Sequence, residues 1–165
     1  MALEIERRFL IKNDNWKEFV TKQIYIEQGY LSKSFDDWIT RIRFPGKDYK
    51  ITLKKHIKSF TNFEFEYSIP QSDGEKIMSN LKSIIKKERF FLKVEKKSWI
   101  IDCFKENNYP LEIAEIELSN VEEDLNFPSF ISKEITGPRH YSNFSLSTKP
   151  FSQWNEGHLT ILKNN

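Results

Sequence analysis

Apolar and polar residues alternate along several stretches of this chain, and a period of two sends successive side chains to opposite faces of an extended strand. In Leu3-Glu4-Ile5-Glu6-Arg7-Arg8-Phe9 the charges of Glu4, Glu6 and Arg8 share one face while Leu3, Ile5 and Phe9 take the other. Related patterns at 23–31, 38–44, 49–54, 62–69, 86–94, 98–104 and 111–118 bring the predicted strands to eight. Pro45-Gly46-Lys47-Asp48 makes its flanking strands an antiparallel hairpin, because a parallel partner needs a crossover of about a dozen residues. Asn13-Asp14-Asn15 supplies capping residues to a short helix over 16–20 that ends near Lys22. Ser72-Asp73-Gly74-Glu75 has capping-box spacing, and the helical apolar period after it runs through Leu81 and Ile84. From Pro128 onward the sequence predicts short helical pieces and irregular chain. The expected fold is mainly β (α+β): an antiparallel sheet large enough to close into an eight-stranded barrel, in a single domain over 1–165, with about three helices.

Composition narrows the function classes. With 165 residues there is room for one substantial core, and 14 Phe, six Tyr and four Trp supply its bulk. The near balance of 26 basic and 24 acidic residues leaves no general electrostatic footprint for nucleic acid. Charge at Glu4, Glu6 and Arg7 replaces the apolar run of a signal peptide, and no later stretch has the length of a membrane span. A soluble, cytoplasmic protein is expected, with neither membrane nor nucleic acid as a partner, as monomer or homodimer. The single cysteine, Cys103, excludes an internal disulfide framework and reads as a structural thiol between apolar neighbours. His56, His140 and His158 have no zinc-ligand spacing, and no glycine-rich phosphate loop occurs. Trp16, Trp38, Trp99 and Trp154 read as packing residues.

Function must then lie in local charge. Placed on strand faces, the acidic residues form one set (Glu4 and Glu6, Glu64 and Glu66, Asp102, Glu115 and Glu117) and the basic residues another (Arg8, Arg41 and Arg43, Lys50 and Lys54, Lys87 and Arg89). Two architectures carry this pattern. One is an ordinary barrel or sandwich with an apolar core and its charges in water. The other is a barrel with helices on a greasy outside and a polar lumen inside, where confined carboxylates ask for a cation and confined Arg and Lys for an anion. Mg²⁺ held by one or two carboxylates and by substrate oxygens, with cations around it, suits a polyphosphate.

Glu4-Ile5-Glu6-Arg7-Arg8 resembles the Glu-x-Glu-x-Lys signature of the CYTH superfamily, the triphosphate tunnel metalloenzymes. The resemblance continues through Gln28-Gly29-Tyr30-Leu31, Arg41-Ile42-Arg43, Thr52-Leu53-Lys54, Glu64-Phe65-Glu66-Tyr67, Lys87-Glu88-Arg89-Phe90, Trp99 to Asp102, Ala114-Glu115-Ile116-Glu117-Leu118, Glu134-Ile135-Thr136-Gly137, and Arg139 with Asn143. Order and spacing fit small bacterial members from Leu3 to about Trp154. The resemblance implies an eight-stranded antiparallel tunnel with a charged lumen and a few helices packed outside. It implies hydrolysis of a short triphosphate, with inorganic tripolyphosphate first among substrates and Mg²⁺ or Mn²⁺ as cofactor. Arg8, Arg41, Arg43, Lys54, Lys87, Arg89 and Arg139 would bind the triphosphate, and Glu4, Glu6, Glu66, Asp102, Glu115 and Glu117 would hold metal. Glu4 and Glu6 would orient water.

Arg8 departs from the family lysine, which in some members is thought to work with a tyrosine corresponding to Tyr30. Arginine keeps its charge, so a role needing a titratable amine is not open to it. Thiamine triphosphate hydrolysis, class IV-type adenylate cyclisation and non-catalytic polyphosphate binding are the alternatives.

Overall fold

Where one face of a segment is greasy and the other polar, the chain is strand. The computed structural model describes residues 3–32, 34 and 37–155. Its strands are β1 (Leu3–Ile11), β2 (Val20–Tyr30), β3 (Ile39–Phe44), β4 (Lys50–Lys58), β5 (Thr61–Ser68), β6 (Ile84–Val94), β7 (Lys97–Phe104), β8 (Glu112–Glu117) and β9 (Ile131–Glu134). Two α-helices, α1 (Gln71–Met78) and α2 (Asn143–Thr148), and short 3-10 turns complete the described elements. The strands run β5-β4-β3-β2-β6-β7-β8-β1, all antiparallel, and β1 returns to β5. Eight strands thus close a barrel and leave it no long free edge.

β1 makes the closure. Glu6 to Leu10 pair with β8 along one edge; the other edge takes β5 at Leu3, Glu4 and Ile5, then β9 at Phe9 and Ile11. β9 falls where irregular chain was expected. Ile131-Ser132-Lys133-Glu134 has little alternation of its own, and it is extended because β5 leaves β1's edge unpaired beyond Ile5. A bidentate pair from the Arg7 guanidinium to Glu134, at 2.9 and 2.6 Å, holds it there.

The helical expectations need two corrections. The first segment is a 3-10 turn, Asp14–Phe19, fixed by Trp16 in the core, and β2 already begins at Val20. In the second, α1 is capped at Pro70 with Ser72 inside the helix, so no capping box forms; Glu75 accepts instead from Gln71 at 2.8 Å. α1 stops at Met78, and Ile84 opens β6. Leu81 turns back onto Gly29 of β2, where a Cβ would stand 2.6 Å from Leu81 Cδ1 and 2.9 Å from Met78 Sδ.

The greasy outer face of β1, β6, β7 and β8 presents Phe9, Leu92, Trp99, Ile101, Ala114 and Ile116, and Trp16, Phe130 and Ile131 pack over it. The inner face carries charge over only part of its length. At one end Leu10, Ile85, Phe104 and Ile113 continue the alternation that places Arg8, Lys87, Asp102 and Glu115 inside. There they are buried against Ile135, Tyr141, Leu146, Phe151 and Trp154. The C-terminal segment, with α2, therefore plugs this end of the barrel. Residues beyond Asn155, His158 among them, lie outside the described part.

Candidate active site in the barrel lumen

The lumen encloses a cavity of about 1090 Å³, lined by Glu4, Glu6 and Arg8 of β1, Tyr30 of β2, Arg41 and Arg43 of β3, Lys54 of β4, Glu64 of β5, Arg89 of β6, Glu115 and Glu117 of β8, and Arg139 of the plug. At the end opposite the plug it reaches Lys93, Lys96 and Lys97 at the β6–β7 hairpin. Strand order sets acids across from bases. β8, with its two glutamates, lies four strands from β3 and its two arginines in either direction round the ring, and β5 stands likewise across from β6.

On the β3–β4–β5 wall every carboxylate has cationic neighbours. Glu64 lies 3.5 Å from both Arg41 and Lys54; Lys54 also bonds Glu4, which accepts from Asn62 at 3.4 Å. Burial would raise Glu64, but Arg41 and Lys54 outweigh it and hold the carboxyl below its ordinary value. Burial lifts Glu4 above its ordinary value, Glu64 adding to the effect and Lys54 offsetting part of it. The buried Nε–H donors of Arg41 and Arg43 find no acceptor among the described residues.

The β1–β8 wall differs. Glu6 and Glu117 face each other in register, with Glu115 in register with Arg8 beside them. Burial, then the charges of Glu6 and Asp102, push the Glu115 carboxyl up despite Arg89 at 2.8 Å. Among the described residues no three His, Cys, Asp or Glu side chains form a ready-made metal cage. The facing carboxylates of Glu6 and Glu117, with Glu115 beside them, nonetheless match the partial oxygen set that a divalent cation takes when substrate oxygens complete its shell.

Three expected site residues do not line the cavity: Lys87, Asp102 and Glu66. Glu66 accepts from Arg43, from Lys50 at 2.8 Å and from the buried Thr52 at 3.2 Å. Asp102, 0% exposed, accepts from Arg89 Nε and Nη2, both at 2.7 Å, and from Lys87. Burial alone would raise Asp102, but the Arg89 and Lys87 charges drive it far below the usual carboxylate range.

Arg8 and Tyr30 have separate partners. Arg8 donates to the carbonyls of Tyr141 at 3.1 Å and Thr136 at 3.4 Å, and its Nε lies 3.6 Å from Glu6. The Tyr30 hydroxyl accepts from the buried Gln28, and its ring meets Phe144 edge-on at 5.2 Å. Burial raises the phenol above its usual value, more than the neighbouring Arg41 charge lowers it, so it stays protonated at neutral pH. Gln28 and Thr52 went unassigned in the sequence reading, although alternation with Tyr30 and Lys54 puts both on the lumen side. Thr136, Ser142 and Phe144, which bring the plug into the cavity wall, gave no periodic signal. Trp16, Trp99 and Trp154 are buried packing residues, and Trp38 packs on Phe65 at 5.9 Å. Burial, then the nearby Glu112 charge, raises the Cys103 thiol well above its usual value and keeps it protonated.

No family profile matches the chain. It is 34% identical over 160 residues to an inorganic triphosphatase of Acetivibrio thermocellus, covering 94% of this chain and all of that one. An inorganic triphosphatase of Nitrosomonas europaea is 26% identical over 148 residues, 87% of this chain and 96% of that one. The crystal structure of the inorganic triphosphatase NE1496 superposes with a TM-score of 0.66 at 26% identity, over 89% of this chain and 95% of that one. A barrel whose inner face is charged and whose outer face is packed, joined to kinship along nearly the whole length, places this chain in the CYTH superfamily of triphosphate tunnel metalloenzymes.

Proposed function

We propose that the lumen hydrolyses inorganic tripolyphosphate to diphosphate and phosphate with a divalent metal, Mg²⁺ or Mn²⁺. The observation that carries this reading is the pair of guanidinium side chains, Arg41 and Arg43, that line the cavity across the barrel from the carboxylates of β8. Guanidinium forks match phosphate oxygens in charge and in geometry. Arg41, Arg43, Lys54 and Arg89, with Arg8 and Arg139 at the plugged end, hold the substrate and stabilise charge as the terminal phosphoryl transfers. Glu6, Glu115 and Glu117, with Glu4 nearby, would hold the metal, which when bound neutralises phosphate charge and acts as a Lewis acid. Glu6 orients the attacking water and receives its proton as the new O–P bond forms. The bond to the bridging oxygen breaks, and its electron pair leaves with diphosphate. The names and near-complete coverage of the relatives support the same substrate.

The test is phosphate release from tripolyphosphate, thiamine triphosphate and ATP with Mg²⁺, Mn²⁺ or EDTA, with cyclic AMP assayed on the ATP samples. Metal-dependent release that is greatest from tripolyphosphate is expected. Preference for thiamine triphosphate, cyclic AMP from ATP, or binding of tripolyphosphate without turnover would each replace this reading with its named alternative.

A further inference from the structure

Beneath the cavity wall lies a buried polar group outside the catalytic steps just described. Asp102 and Lys87 are 0% and 1% exposed, and neither lines the cavity. Asp102 has both oxygens occupied: Oδ1 by Arg89 Nε, and Oδ2 by Arg89 Nη2 and Lys87. The Lys87 ammonium also donates to Asn143 Oδ1 at 3.1 Å, and Asn143 opens α2 in the plug. Arg89 Nη2 also reaches Glu115 at 2.8 Å, and Arg89 itself lines the cavity.

Such a cluster is expensive to bury and is kept only where its geometry is well satisfied. Two basic and two acidic groups, Lys87, Arg89, Asp102 and Glu115, balance formally. A carboxylate already committed to a bidentate arginine and a lysine has little capacity left for a metal, and it is screened from the cavity that a metal bound to phosphate would occupy. The arginine it clamps is instead held between Asp102 and Glu115 while lining the cavity.

We propose that Asp102 is a positioning residue rather than a metal ligand. With Lys87 and Asn143 it fixes Arg89 for phosphate and ties that arginine to the C-terminal plug. The inference rests on the lumen being the triphosphate site, but its test needs no turnover. In full-length protein, Mn²⁺ binding is titrated by electron paramagnetic resonance, and tripolyphosphate binding is measured by calorimetry in EDTA, for wild type, Asp102→Asn, Asn143→Ala and Glu115→Gln. Asp102→Asn should weaken tripolyphosphate by about tenfold, and Asn143→Ala by about threefold, with Mn²⁺ affinity within about twofold of wild type. Glu115→Gln should lose Mn²⁺ affinity. If Asp102→Asn fails to fold, the charge-neutral pair Lys87→Met with Asp102→Asn takes its place.

A fall in Mn²⁺ affinity matching that of Glu115→Gln overturns the proposal, as does unchanged tripolyphosphate affinity in both the aspartate and asparagine variants. Tripolyphosphate that binds to wild type without being hydrolysed would overturn the proposed activity and leave this inference standing.

Discussion

Arg8 shows what one side chain changes in a shared site. Its guanidinium reaches the carbonyls of Tyr141 and Thr136 through two separate nitrogens while staying near Glu6, a spread that the single nitrogen of an ammonium lacks. Arg8→Lys should raise the rate of phosphate release by restoring a titratable amine to the lumen. It should also lower the melting temperature by about 2–4 °C, roughly the worth of one hydrogen bond. Parallel rate and melting measurements check both; an unchanged or lower rate removes the catalytic half of the argument. Glu4 and Glu115 give a pH signature. Both are held above the ordinary carboxylate value, mainly by burial. A raised acid keeps its proton longer in the folded protein, so these groups lose stability as pH rises from the unfolded carboxylate value through the folded one. Metal binding needs them ionised. The acid limb of kcat/KM should therefore lie above the usual glutamate range and move to lower pH as Mg²⁺ increases, because metal and proton compete for the same oxygens. A limb independent of Mg²⁺ would exclude both groups. At this scale the sequence was legible where alternation fixed a face: Glu4, Glu6, Arg8, Arg41, Arg43, Lys54, Arg89, Glu115 and Glu117 all reach the cavity. Face alone does not give depth. Lys87 and Asp102 share that parity and still lie buried behind the lining, satisfied by each other and by Arg89, and Glu66 sits outside it, paired with Arg43 and Lys50.

At the scale of elements, strands were legible and helices were not. A strand announces itself by a period that survives in any surroundings, whereas α1 is ended by what it packs against. Leu81 and Ile84 keep helical spacing, yet Leu81 serves the close approach to Gly29 and Ile84 joins the sheet. Gly74 gives a test. In a helix, Gly→Ala ordinarily stabilises by about 1 kcal/mol. Here the added Cβ would fall inside the envelope of Tyr49 Cβ and Cγ, near the root of a half-buried ring that cannot swing clear. The sign should reverse, with Gly74→Ala losing about 1–3 kcal/mol in urea denaturation. A gain would mean that α1 can lift away from β4 without cost. β9 was invisible for the opposite reason: its strand character comes from β1's unpaired edge and the Arg7–Glu134 pair, neither of which is a local property.

At the scale of the molecule, the barrel's closure reads from strand count, and its polar interior reads from paired charges once the family resemblance is recognised. The plug reads from neither. It depends on Leu10, Ile85, Phe104 and Ile113 breaking the charged series at one end of four strands, and on aromatic residues about 130 positions later meeting them; the span from Leu10 to Tyr141 is 131 residues by number. Among the described residues that end is filled along β1, β6, β7 and β8, while the other end reaches the lysines of the β6–β7 hairpin. Substrate and product that share this lysine-lined end use it in turn, diphosphate backing out along the β6–β7 hairpin before another chain enters. Diphosphate should then inhibit competitively against tripolyphosphate in steady-state kinetics, and a noncompetitive pattern would mean that phosphate, not diphosphate, is the last product to leave. Turnover becomes a matter of queueing, in which the chemistry can run no faster than the previous occupant leaves.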